Sequence, residues 1–375
     1  MNRMPICRVF LATSVLWLVV PTAVASTVVV GTCLPHLQSY STISQAISSV
    51  PSGSIILVCP GVYAEQVRIT QPLTLKGVPS ANTSNPTIVV PSGGLTKSVI
   101  APTNGVTMYF QVLVQGTDSG LVNISNLAVN GSSSANKNLN GWIEGIYYQN
   151  SSGTVSDVAA YGQNGNGAGF GIFLEGTTSP AKTVTVKNNS VHDFDSEGIR
   201  TNGSVVPSLT VNITSNSVVH SNTFSGNPAY GGIDVQGAMG TISNNRVITH
   251  PAAPGVSAGT GIAFPSSSVV TGNTVENFSV GIWALGNSNS VKTNQVSLAG
   301  GAIVISGNSN DIESNSLLNL TRDGGSGISF NCTGTGNTVI HNLINDATVG
   351  IVNHSGNTIS PNTYSNVAVQ ISPPC

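Results

Sequence analysis

Apolar residues in this 375-residue chain fall in short runs that alternate with polar ones in steps of two. Thr183-Val184-Thr185-Val186 and Leu209-Thr210-Val211-Asn212-Ile213 are typical, and clusters of Asn, Gly and Ser separate the runs. A period of two puts alternate side chains on one face of a strand, and residues 120–370 contain almost no stretch with the 3.6 period of a helix. The pattern predicts many short strands joined by turns.

Two phrases recur along these strands. Asn-x-(Val/Leu/Ile) starts at Asn189, Asn216, Asn245, Asn273, Asn294, Asn315 and Asn342, in steps of 27, 29, 28, 21, 21 and 27 residues. Gly-Ile-x interleaves with it at Gly145, Gly171, Gly198, Gly232, Gly261, Gly281, Gly327 and Gly350, with Ala302-Ile303-Val304 as a variant. A repeat of this length cannot bury its apolar side alone, so repeats must stack. Each period holds about three strands of three to five residues, which makes it one rung of an all-β, right-handed single-stranded parallel β-helix. The recurring Asn suits a sharp turn, and its amide can bond the equivalent Asn one coil on, forming a ladder.

The N-terminal part reads differently. Tyr40, Ile43, Ile47 and Val50 fall at helical spacing, predicting a short helix that covers the open apolar end of the stack. Before it, Arg3 and Arg8 precede an apolar run of 12 residues, Val9 to Val20, and Ala23-Val24-Ala25 offers small residues for cleavage before Ser26. This predicts a secretory signal peptide over 1–25, too short to span a bilayer. The rest, 26–375, is expected to be a single β-helix domain, with the cap and first coils in 26–80 and the repeated coils in 120–370. It should be a secreted monomer, extracellular or periplasmic, with no membrane contact after cleavage.

Composition narrows the partners. Charged residues make up 7% of the chain, and beyond residue 25 only 10 Lys and Arg face 14 Asp and Glu. Nucleic acid is excluded as a partner, because neutralising phosphates needs clustered basic residues. Four cysteines remain beyond residue 25. In an exported chain they favour disulfides, and because solenoid contacts are local the expected pairs are Cys33 with Cys59 and Cys332 with Cys375.

The segment Thr42-Ile43 through Gly77, around Pro60-Gly61-Val62-Tyr63-Ala64-Glu65, resembles the opening of pectin-lyase-like β-helix proteins, including pectinesterases. That resemblance implies the same fold but names no activity, because the superfamily holds lyases, hydrolases, esterases, epimerases and non-enzymes. The chain lacks the Gly-x-Val-Asp-Phe-Ile-Phe-Gly and Leu-Gly-Arg-Pro-Trp segments of pectinesterases. It also lacks the Asn-Thr-Asp, paired Asp, Gly-His-Gly and Arg-Ile-Lys set of polygalacturonases. Val191-His192-Asp193-Phe194-Asp195 resembles the Asp-Pro-His region of alginate epimerases only with a different residue order, so no catalytic residue transfers.

Candidate chemistry comes from register instead. If the Ile of Gly-Ile-x points inward, the next residue points out, giving the column Tyr147, Phe173, Arg200, Asp234, Ala263, Trp283, Val304, Ser329 and Val352. A neighbouring column begins Gln149, Glu175, Asn202, Gln236. Aromatics beside an Arg and carboxylates suit an extracellular polysaccharide: Tyr147, Phe173, Gln236 and Trp283 as binding residues, Arg200 for a uronate carboxylate, Asp234 and Glu175 as acid or base, and nearby His192. The same register also allows a plain ion pair between Arg200 and Asp234, with the aromatics packed under loops. No cofactor is required by this reading. Asp193, Asp195 and Glu197 are candidate Ca²⁺ ligands in the turn before Arg200, or simply a solvated turn.

Turn lengths point to the same strip. From an Asn marker to the next Gly-Ile marker the count is 9 after Asn189 but 16 after Asn216 and Asn245, so longer turns flank Asp234. The leading expectation is a secreted protein that binds, and as a lyase, epimerase or glycoside hydrolase acts on, polysaccharide. The alternative is a non-catalytic structural or adhesin-type surface protein. A metal-insertion accessory role is disfavoured by the lack of clustered His, Met or Cys.

Overall fold

The computed structural model describes residues 24–79, 85–117, 120–164, 167–203, 208–220, 231–250, 258–320, 324–330 and 334–373. Across them the strands stack as a right-handed parallel β-helix with three faces. One face is a 14-stranded parallel sheet, and the other two run into one another as 23 strands. Ile146, Ile172, Ile199, Ile233, Ile262, Ile282, Ile303, Ile328 and Ile351 pair in consecutive coils. All nine are fully buried, so the inward assignment of Gly-Ile-x holds along its whole length. Each such side chain contributes about 1.5–3 kcal/mol of burial.

The two sequence phrases meet in space. The aliphatic residue of one Asn-x-(Val/Leu/Ile) occupies the volume that a Cβ on the preceding marker glycine would need: Val191 at Gly171, Val218 at Gly198, Val247 at Gly232, Val275 at Gly261 and Val296 at Gly281. Each of these glycines also lies close to the carbonyl oxygen of its counterpart one coil on, or of Ala302 at the end of the row. The two markers share one period because they are halves of one packing contact.

The Asn ladder is continuous. The Nδ2 of Asn189, Asn216, Asn245, Asn273, Asn294, Asn315 and Asn342 each donates to the Oδ1 of the next Asn at 2.9–3.0 Å, ending on Asn362. The same Oδ1 atoms accept the backbone N–H of the preceding ladder residue. A second, shorter ladder follows Asn310, Asn337 and Asn357 on another corner. One expectation is corrected. The left-handed backbone is not at the ladder Asn but one residue earlier, at Asn188, Ser215, Asn244, Gly272, Thr293, Ser314 and His341. The ladder Asn is selected for its buried amide rather than for its φ.

The cap helix α1 (Ile43–Ser49) begins and ends inside the predicted stretch. Tyr40 lies in the two-residue strand Ser39–Tyr40, and Val50 follows the last turn. The start is fixed by Thr42, whose Oγ1 accepts from Gln45 N at 3.1 Å. Glu65 of the Pro-Gly-x-Tyr-x-Glu segment accepts the N–H groups of Ile43 and Ser44 at 2.8 and 2.9 Å, where a carboxylate also meets the positive end of the helix. Tyr63 of the same segment donates to Cys59 O at 2.8 Å. The motif that carries the family resemblance is therefore a scaffold device. Cys33 and Cys59 form a disulfide beside it, while Cys332 and Cys375 lie outside the described residues. No helix among the described residues is long and apolar enough to cross a membrane.

Candidate functional site

The outward column has the register read from the sequence. Tyr147, Phe173, Arg200, Asp234, Ala263, Trp283, Val304, Ser329 and Val352 pair in successive coils, and Gln149, Glu175, Asn202 and Gln236 run beside them. Thr201, the polar residue among inward positions, is buried and satisfied by the backbone of Gln236 at 3.0 and 3.1 Å.

Exposure divides this column in two. Tyr147 and Phe173, expected on the surface, are fully buried in a second apolar cluster with Ala101, Met108, Phe110, Leu113 and Phe170. Strand Ser98–Ile100 pairs antiparallel with the start of Thr107–Gln115, and this strap lies over the outer face of the first coils. The apolar side chains Met108, Phe110, Val99 and Val106 draw it down, an amphipathic signal that was present in the sequence outside the repeat. Glu175 is buried too. It accepts from Thr103 N at 3.0 Å and from the Tyr147 hydroxyl, and Asn202 Nδ2 donates to Thr103 Oγ1 at 2.6 Å. Glu175 is thus a latch for the strap, with no exposed oxygen for a substrate. Burial and the Glu175 carboxylate push the Tyr147 phenol well above its usual value.

Beyond the strap the column opens into a pocket of about 370 Å³ whose lining includes Glu197, Arg200, Asp234, Gln236, Ala263 and Trp283. Ala263 stands between Asp234 and Trp283 in the register, and its small side chain leaves the space that a larger residue would fill. Trp283 forms part of the wall, its Nε1 donating to Ser306 Oγ at 2.9 Å.

Arg200 is tied at both terminal nitrogens. Nη1 lies 3.0 Å from Glu197 Oε1 and 3.7 Å from Asp234 Oδ2, and Nη2 donates to Gln236 Oε1 at 3.2 Å. Gln236 Nε2 donates to Asp234 Oδ2 at 2.7 Å, closing a ring. Its guanidinium carbon lies 5.2 Å from the Trp142 ring and 5.6 Å from the Phe170 ring, an arrangement that favours the cation. Both carboxylates approach the same nitrogen, so they stand close together across the pocket. Burial pushes Glu197 up to about 7, reinforced by Asp234 and opposed by Arg200 and by Ser196, which donates to Oε2 at 2.6 Å. Burial raises Asp234 as well, against Arg200 and Gln236. A carboxyl that titrates near neutrality can act as acid or base.

The acidic turn separates instead of converging. Asp193 Oδ2 lies 2.8 Å from His192 Nδ1, Asp195 accepts from Gly167 N at 2.9 Å in the preceding coil, and Glu197 faces Arg200. Among the described residues no three His, Cys, Asp or Glu side chains gather as a metal site. His192 stacks on Tyr161 with ring centroids 4.9 Å apart, on strand Ser190–His192, and does not line the pocket. Most of the two longer turns, residues 221–230 and 251–257, lies outside the described residues.

Two participants were missed. Trp142 packs on Arg200, although only Tyr147 of its strand was placed in the outward column. Glu144 lies on that strand, fully buried, with both carboxylate oxygens without a hydrogen-bond partner among the described residues. It pairs in register with Phe110 and Phe170, and burial holds it well above the usual carboxylate range. The signal was available: a lone Glu beside the Gly-Ile marker, in the coil where the outward side is apolar.

A family model and one solved structure agree on the scaffold. A family model described as a right-handed beta helix region matches residues 209–364. No curated protein sequence matches the chain. Among solved structures, the Dettilon tailspike protein is similar with a TM-score of 0.55 at 14% identity, over 87% of this chain and 64% of that one. DFA-IIIase from Arthrobacter chlorophenolicus A6 gives 0.48 at 13%, over 82% and 88%. Pectin methylesterase PemA from Erwinia chrysanthemi gives 0.44 at 15%, over 71% and 81%. The chain spans less than two thirds of the tailspike, and at these identities the likeness is one of fold. The protein folds as a right-handed parallel β-helix.

Proposed function

We propose that this protein is exported and binds an extracellular polysaccharide in the pocket between Arg200 and Trp283, with Glu197 and Asp234 as its acid–base pair. One observation carries the reading. Two partly desolvated carboxyl groups share one guanidinium on the wall of an open pocket that also presents an indole. Aromatic side chains beside convergent polar groups make a plausible place for a sugar ring, and paired carboxyls in a low-dielectric pocket supply proton transfer at neutral pH. The Cys33–Cys59 disulfide suits an oxidising compartment.

A panel of acidic and neutral glycans, with and without Ca²⁺, followed by binding, reducing ends and unsaturated-uronate absorbance, tests this. Binding or turnover of at least one glycan is expected, and the Arg200→Ala/Asp234→Ala double variant should lose it by about tenfold or more. Activity that survives the double substitution would remove the site, and no binding to any glycan would favour the structural or adhesin-type role.

A further inference from the structure

We propose that the pocket selects an uncharged sugar unit and rejects a uronate, because Arg200 is already the counter-ion of Glu197 and Asp234. This rests on the carbohydrate reading above and names its substrate class. The guanidinium meets Glu197 at 3.0 Å, Asp234 at 3.7 Å and Gln236 at 3.2 Å, and its remaining Nε is buried and without a partner among the described residues. Trp142 and Phe170 stand 5.2 and 5.6 Å from its centre. A uronate would need a free fork to donate to both of its carboxylate oxygens, and among the described residues every Nη contact of this fork goes to Glu197, Asp234 or Gln236.

Charge leads to the same conclusion. Among the described residues Arg200 is the one basic side chain lining the pocket, against two carboxyl groups. With both ionised the pocket carries net negative charge, and with Glu197 protonated it is neutral. An incoming carboxylate therefore meets no excess positive charge, and like charges set close together in a desolvated site oppose binding strongly. A hydroxymethyl group at the same position carries no such penalty. It can hydrogen-bond to the carboxylates and to Gln236.

The test uses sugars that differ only at C6. Oligogalacturonate is paired with its carboxyl-reduced form, cello-oligouronate with cello-oligosaccharide, and oligomannuronate with manno-oligosaccharide, each titrated by calorimetry at pH 7. In the pair that binds, the neutral member is expected to bind about tenfold or more tightly. The Glu197→Gln/Asp234→Asn double variant, which frees the guanidinium while keeping side-chain shape, should narrow or reverse that ratio. A wild-type protein that prefers the carboxylated member overturns this inference and leaves the carbohydrate site standing. A ratio unchanged in a folded double variant also overturns it. No binding in any pair overturns both readings. The wild-type comparison decides even where the variant does not fold.

Discussion

Replacing Asn273 by Ala is expected to destabilise the protein by about 3–5 kcal/mol, among the largest effects of any single polar substitution in the coils. Its Nδ2 donates to Ile242 O, Thr271 O and Asn294 Oδ1, and its Oδ1 accepts both the backbone N–H and the Nδ2 of Asn245. Truncation leaves two donors of Asn245 and the carbonyl of Ile242 buried with lost partners. Each orphaned group costs about 1–3 kcal/mol. Asp is no rescue, because it keeps the acceptor but loses all three donated bonds and buries a charge. Because each coil leans only on its neighbours, the loss should separate the stack into two less cooperative segments. Urea unfolding followed by circular dichroism checks this: a lowered midpoint with a broadened or two-step transition is expected. A midpoint within about 0.5 kcal/mol of wild type would mean that the ladder only decorates the corner.

The second large effect is a gain. Glu144→Gln should stabilise the protein by about 1–3 kcal/mol at pH 8 and leave it unchanged at pH 4. Burial raises the folded-state pKa of Glu144 far above that of the unfolded chain, with Glu197 and Glu175 adding to the rise and Arg200 opposing it. A raised carboxyl favours folding fully below the unfolded value near 4.5. That contribution declines as pH rises toward the folded value. Glu197 adds a similar decline that ends near its folded value of about 7. Glu144 and Glu197 should therefore pull wild-type stability down as pH rises above about 4.5, against the opposite contribution of buried His220, whose value burial lowers to about 4. In the Gln variant the share of the fall that Glu144 contributes should disappear, leaving a shallower slope. Thermal midpoints measured across this range check the sign, and equal slopes in the two proteins would contradict it.

The parts of the fold that repeat were legible in the sequence, as were the cap helix and the Cys33–Cys59 bridge, and the strap was not. Gly-Ile-x and Asn-x-Val gave the inward Ile column and the full outward register, because close packing of a glycine against the valine of its own coil forces both markers into one period. The reason for the ladder Asn was misplaced by one residue, since the positive φ belongs to its predecessor. The strap was invisible to the period. It occurs once, around Ser98–Ile100, and it turned Tyr147, Phe173 and Glu175 from candidate ligands into a covered cluster. Register names which side chains share a column. It cannot say what lies over them. The site that remains, with Arg200, Asp234 and Trp283 from the same column and Gln236 from the one beside it, lies beyond the edge of the strap, and Glu197 joins it from the acidic turn read as candidate Ca²⁺ ligands or a solvated turn.

The most direct measurement is the intrinsic fluorescence of the protein titrated with its best-binding oligosaccharide. Trp283 lines the pocket and Trp142 lies behind Arg200, so occupancy should produce a saturable change in emission. The account predicts that Trp283→Phe abolishes the greater part of that change and weakens binding about fivefold or more, while the fold survives. An unaltered change and affinity in Trp283→Phe would contradict it and place the sugar elsewhere on the coil.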